Sequence, residues 1–205
     1  MNVRLKKTFD FSTGLVYNEE FSVNYYTANV CMTVLAEDSA QQNIAYERMK
    51  YWVDLVLTNS ILIADSDPML EKWLATGQRI ISLPEKPVDQ IVGIMLFSKF
   101  NAMAENRFII TDLELSSAVG DDTYFIHSDN ESLGPLSYNG WWTDPSPCWT
   151  SSTRRRKKTD KIISIGRAPE WNEFGLNWDA DNSDEEQSNT VVFANFVKDE
   201  NNPIQ

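Results

Sequence analysis

Histidine, cysteine and glycine are scarce in this chain: of 205 residues, one is His, two are Cys and eight are Gly. A single His with two distant cysteines, Cys31 and Cys148, supplies neither a disulfide framework nor metal-ligand spacing. Neither GxGxxG nor GxxxxGKS/T occurs, so cradling of a nucleotide by a glycine loop has no support. Apolar runs fall well short of the roughly 20 residues needed to cross a bilayer. The basic start Met1-Asn2-Val3-Arg4-Leu5-Lys6-Lys7 is not followed by the apolar segment of a signal peptide. Together these absences predict a soluble protein in a reducing, cytoplasmic setting, with no metal and no cofactor.

Acid is what the chain has in excess, with 30 Asp plus Glu against 18 Lys plus Arg and a net charge of −12. Summed charge of that sign repels phosphate backbones beyond a Debye length of roughly 8 Å, which disfavours general duplex binding. With 42% hydrophobic and 23% charged residues the composition is globular, and one good core or two small ones fit the length.

Apolar positions give the coarse organisation. Val3 to Phe11 and Phe21 to Leu35 read as strands, with Ser12-Thr13-Gly14 as the turn signal between them. From Ser39 to Thr58 the residues Ala45, Met49, Trp52, Val53, Val56 and Leu57 recur at helical steps, and Ser39 with Gln42 predicts a capping box. Ser60 to Ala64 reads as a strand. A helix follows, with Asp67 as N-cap, Pro68 at its first position and Gly77 at its end. Arg79 to Leu83, Ile91 to Phe97, Phe108 to Leu115 and Thr123 to Ser128 read as further strands, the middle two as an antiparallel pair. The expected class is α+β: a mainly antiparallel sheet with two helices on one face and an irregular, Trp-rich C-terminal extension. The core is expected over residues 1–129 and the extension over 130–205, packed on the core, with Thr190 to Val197 as a returning strand.

His127 anchors the enzymatic reading, as a base for Cys148 oriented by Asp129 or Asp144, a nucleophile and base arrangement that needs the three groups to converge. In a strand His127 and Asp129 share a face, yet a lone strand-end histidine also commonly bonds a neighbouring loop. Asp181 to Glu186 lacks the glycine and the ligand order of a calcium loop, and reads as solvated. Tyr138 to Trp149 carries Tyr138, Trp141, Trp142 and Trp149 among Gly140, Pro145 and Pro147. Loop tryptophans either anchor the loop by burying roughly 150 to 250 Å² each, or present a flat face to a base, a sugar or a partner. Next comes Arg154-Arg155-Arg156-Lys157-Lys158, fewer than 25 residues from the acidic stretch Asp179 to Glu186. Blocks of opposite sign so close invite pairing, within the chain or between subunits, and the cations can also meet phosphates beside stacking tryptophans.

The segment Ala36-Glu37-Asp38-Ser39-Ala40-Gln41-Gln42-Asn43-Ile44-Ala45-Tyr46-Glu47-Arg48-Met49-Lys50-Tyr51-Trp52, running on into Ser60-Ile61-Leu62-Ile63, resembles uncharacterised proteins of marine T4-like phages. The resemblance covers about a quarter of the chain and implies a viral, cytoplasmically made protein, with no activity and no site residues attached. The expected function is a non-enzymatic interaction or assembly protein, a homo-oligomer or partner of another protein. Its contact surface would comprise Tyr138, Trp141, Trp142, Trp149, Arg154, Arg155, Arg156 and the charged C-terminal blocks. Two alternatives stand beside it: a binding module for single-stranded nucleic acid or another planar ligand, and a hydrolase or transferase using His127 with Cys148 or Asp129.

Overall fold

The computed structural model describes residues 4–128, 133–150 and 170–178. Strands β1 (Arg4–Tyr17) and β2 (Glu20–Val34) form a long antiparallel hairpin. Its two-residue turn, Asn18-Glu19, has both residues at positive φ, 50° and 67°, the handedness that matches strand twist. The expected turn at Ser12-Thr13-Gly14 is instead strand interior. Gly14 pairs Val23 on one side and Ile61 on the other, and a Cβ there would lie 2.6 Å from the Phe21 ring. The glycine marks a close approach within the sheet rather than a bend.

Helix α1 (Ser39–Tyr51) continues as a π-helical turn over Trp52–Leu57. Its cap is Asp38, whose carboxylate accepts from the Ala40 N–H at 2.8 Å, while Gln42 donates to the Ala36 carbonyl; the expected Ser39 cap is displaced by one residue. Strands β3 (Ile61–Ala64) and β4 (Ile80–Leu83) flank the short α2 (Leu70–Leu74), where Asp67 accepts from the Met69 N–H. Then α3 (Asp89–Ala104) leads to β5 (Phe108–Ser117) and β6 (Thr123–His127). The apolar run Ile91 to Phe97 is therefore helix, not the strand that periodicity suggested. Sheet covers one side of α3 and the downstream loop another, so Ile91, Val92, Met95, Leu96, Phe97, Phe100 and Met103 are all buried and no polar stripe marks the period.

Six strands form one sheet in the order β4-β3-β1-β2-β5-β6, antiparallel except for the pairings of β3 with β1 and with β4. Helices α1 and α3 cover one face over Phe9, Phe11, Tyr26, Ala28, Val30, Met32, Ile110, Leu113 and Leu115, which gives the α+β class with two helices on one face. On the other face α2 closes a small second core of Val16, Ile61, Ile63, Leu70 and Ile80, while Tyr25, Ile109 and Phe125 on the rest of it, the open face, are exposed. A bulge at Thr111, where Cys31 pairs Asp112 but Met32 pairs Ile110, moves Ile109 to the open face while Leu113 and Leu115 stay inside. Leu136, Trp141, Trp142 and Trp171, from beyond β6, belong to the main core.

Candidate functional site

Lys99 is the least expected side chain in the core, since an ammonium is buried only where donors find acceptors. It is 0% exposed on α3 and donates to the carbonyls of Trp141 (3.0 Å), Asp144 (2.8 Å) and Ser146 (2.8 Å), with the Cys148 Sγ at 3.7 Å. Burial pulls its pKa down to about 8, against the opposing pull of Cys148 and Asp144. Burial also acts to raise Asp144, but the Ser146 hydrogen bonds and the Lys99 charge hold that carboxyl below its ordinary range. The turn Trp141–Thr143 and the residues after it are thus wrapped around one cation.

Indole N–H groups complete the wrapping. Trp52 donates to the Cys148 carbonyl, Trp141 to Ser82, Trp142 to Leu136 and Tyr138, and Trp171 to Pro145. Trp141 and Trp142 are each 3% exposed, so of the two roles open to the loop tryptophans they take the anchoring one and present no ring to a partner. Trp149 is half-buried beside the Arg79 guanidinium, and Tyr138 is exposed, edge-on to Trp142. A second buried cation, Arg48, holds residues 170–178. It donates to Glu105 (2.6 Å) and to the Leu176 carbonyl (2.7 Å), and Trp178 lies between it and Arg107.

On the open face His127 meets Asp112, Nδ1 to Oδ1 2.6 Å, and Thr111 donates to the other carboxylate oxygen at 2.8 Å. The His127 and Thr111 hydrogen bonds lower the Asp112 pKa. Cross-strand register sets Lys6, Cys31, Asp112 and His127 in one row. Cys148 lies on the helix side of the sheet against Lys99, so the expected pairing of His127 with Cys148 is not made. The carboxylate that His127 meets among the described residues is Asp112. Asp129, Arg154, Arg155, Arg156, the acidic stretch from Asp179 and the run Thr190 to Val197 lie outside the described residues. Among the described residues no group of three or more His, Cys, Asp or Glu could hold a metal, and no helix is long and apolar enough to cross a membrane.

The two edges of the sheet differ in their backbone groups. In β4 the Leu83 carbonyl accepts from Asp65 and the Arg79 carbonyl from Ile61, on the β3 side, so alternation turns Ser82 outward, where its carbonyl takes the Trp141 indole. In β6 the Ser128 N–H bonds Thr111 of β5, so the N–H and C=O groups of Thr123, Phe125 and His127 point away from the sheet. Among the described residues none of these outward groups has a hydrogen-bond partner. Phe125, at the centre, is 62% exposed.

Lys99, Arg48 and Asp112 were not singled out from sequence. A legible signal existed only for Lys99, as the one charge inside the run from Ile91 to Phe100.

No protein-family model matches this chain, and no curated protein is recognisably similar to it in sequence. The fold does have solved counterparts. An uncharacterised protein of Wolinella succinogenes superposes with a TM-score of 0.50 at 11% identity, over 63% of this chain and 99% of that one, which is a likeness of fold. The 6-pyruvoyl tetrahydropterin synthase of Plasmodium falciparum matches at 12% identity over 62% and 97% of the two chains, with a TM-score of 0.39. That of Plasmodium vivax matches at 8% identity over 62% and 98%, also at 0.39.

Proposed function

We propose that this is a non-enzymatic assembly protein that pairs with a second copy of itself through the β6 edge. The observation that carries the reading is the outward row of N–H and C=O groups on Thr123, Phe125 and His127, left without partners among the described residues, whereas on the β4 edge the Ser82 carbonyl is taken by the Trp141 indole. Strand edges of this kind template pairing, and β6 carries none of the lysine, proline or bulge devices that blunt them. An antiparallel pair with Phe125 on a two-fold axis sets Thr123 opposite His127 of the second copy and satisfies every outward group. The same register places the two Phe125 rings side by side on the open face, a favourable cross-strand pair, with no like charges opposed. Head-to-tail pairing of β6 onto β4 meets the Trp141 indole, so a closed dimer is favoured over a growing chain.

The basic block Arg154 to Lys158 and the acidic block Asp179 to Glu186 supply a second, electrostatic contact between subunits in this reading. A viral origin and a host-cytoplasm setting also belong to it, supported by the resemblance of the first helix and by the scarcity of cysteine.

Molar mass by size exclusion with light scattering, at low and high salt, tests the proposal. Twice 23.5 kDa at both salts is expected, because backbone pairing and Phe125 burial are insensitive to screening. A 23.5 kDa monomer at both salts overturns it, and a dimer that dissociates in high salt transfers the contact from β6 to the charged blocks.

The hydrolase or transferase reading now rests on the 2.6 Å hydrogen bond between His127 and Asp112, which is the geometry that orients an imidazole as a base. Loss of a detected activity in His127→Ala supports it, and insensitivity removes it. For the planar-ligand reading, with Trp141 and Trp142 in the core, stacking falls to Trp149 and Tyr138, and quenching of tryptophan fluorescence by oligonucleotides is its measure.

A further inference from the structure

The contact between Lys99 and Cys148 has a use beyond holding the loop. The Lys99 Nζ and the Cys148 Sγ lie 3.7 Å apart, and neither is free to swing away. Three carbonyls fix the ammonium, and the Sγ is itself 3.7 Å from the Trp141 carbonyl while the Cys148 carbonyl takes the Trp52 indole. Cys148 is half-buried, so a small oxidant reaches it, whereas Lys99 is wholly enclosed. We propose that Lys99 and Cys148 are a peroxide-dependent modification site, at which a reversible sulfur–nitrogen bond ties the tryptophan loop to α3.

The chemistry balances with hydrogen peroxide as the only co-reactant. Peroxide oxidises the thiol by two electrons to the sulfenic acid and releases one water. The uncharged Lys99 amine then attacks the sulfur. The sulfur–nitrogen bond forms as the sulfur–oxygen bond breaks, and the departing hydroxide takes a proton from the amine as the second water. A dithiol reverses the reaction: one thiol attacks the sulfur as the sulfur–nitrogen bond breaks and the amine regains its proton, and the second thiol then displaces Cys148 as the free thiol, leaving the dithiol oxidised to its disulfide. Proximity supplies the selectivity, since an amine held against its target reacts at an effective concentration no free thiol in solution matches. The required uncharged amine is accessible because burial brings Lys99 to about 8. Cys31 is an internal contrast. Its cross-strand neighbour Lys6 is solvent-exposed and turned to Glu114, 3.8 Å away, with no set of carbonyls fixing its ammonium against the thiol.

The test is intact and peptide mass spectrometry of the full chain carrying Cys31→Ser, after hydrogen peroxide at about pH 8.5. A loss of about 2 Da is expected, two hydrogens per bridge, with Lys99 and Cys148 in one cross-linked peptide that separates on adding dithiothreitol. In Lys99→Arg, whose guanidinium stays charged, the expected product is a dimedone-reactive sulfenic acid with no cross-link. Three results overturn the proposal: sulfenic or sulfinic Cys148 in the Lys99 protein with no loss of 2 Da, a gain of about 14 Da from an oxygen-containing bridge, or no reaction at Cys148. The mass readout on the Lys99 protein decides the matter even if the Arg variant does not fold.

Discussion

At one end of the sheet, β4 has the outward carbonyl of Ser82 taken by the Trp141 indole N–H, and Trp149 lies beside Arg79, the residue before the strand. At the other end, β6 offers Thr123, Phe125 and His127 with nothing bonded to their outward backbone groups among the described residues. The residues that protect β4 lie in the chain just downstream of β6. Among the described residues, 133–150 pack on α3 and reach the opposite edge at Ser82, and none bonds the outward groups of β6. The difference teaches that a single indole N–H, reaching back from a loop of the core, is what takes the one outward β4 group with a partner among the described residues. In the proposed dimer, association runs through one self-complementary strip, and such a strip closes on two copies.

Removing the anchor of the protected end has the largest expected effect. Lys99→Met leaves the carbonyls of Trp141, Asp144 and Ser146 without their donor, and about 3 kcal/mol of stability is expected to be lost in urea unfolding. The same group carries a pH signature. Its folded pKa of about 8 lies below the ordinary 10.5, so between those values the unfolded chain binds the extra proton. Stability from this group therefore rises as pH climbs through that window, and the Met variant lacks the rise.

Phe125→Pro attacks the bare end without touching the protected one, because the N–H it deletes points outward and not to β5. Weakening of the dimer by about 2 kcal/mol, or roughly 30-fold in Kd, is expected in sedimentation equilibrium, with the fold retained. Trp141→Phe makes the two edges more alike by freeing the Ser82 carbonyl. About 1 kcal/mol of stability should go, and light scattering should detect species larger than a dimer. The smallest effect is expected at Gly93, where an added Cβ would lie 2.7 Å from the Cδ1 of Ile126. Gly93→Ala displaces a terminal methyl under β6 rather than backbone, so about 0.5 kcal/mol and a slight further loss of dimer are expected from the same two measurements.

Strands were legible wherever burial alternates, as in β2, whose buried positions Asn24, Tyr26, Ala28, Val30 and Met32 follow period two. The helical stripe of α1 was legible for the same reason. Helix α3 was not, because enclosure on more than one side erases the polar face by which a helix declares its period. Thr111 breaks period two within β5: a bulge changes parity in mid-strand, and Ile109 and Leu113, an even step apart, end on opposite faces. At the candidate site, the tryptophan loop stood out by composition. Trp142 turns onto carbonyls only four and six positions back, but whether Trp141 turns inward depends on Ser82 and Lys99, more than forty positions away, and no local pattern encodes that. Across the ladder His127 meets Asp112 while Cys148 lies on the other side of the sheet, since register rather than proximity in sequence decides which side chains meet; Asp129 lies outside the described residues.

The distance along the chain between Lys99 and its acceptors also orders events during synthesis. Helix α3 leaves the ribosome with a cation on its inner side, while the carbonyls that receive it, at Trp141, Asp144 and Ser146, are 42 to 47 residues behind. At roughly 5 to 20 residues per second, that is a wait of several seconds. Until then α3 cannot bury Lys99 against the nascent core without leaving a charge unpaired. The helix is thereby held back from final packing until the loop arrives, and the same event that seats the lysine brings Trp141 onto β4 and closes that edge.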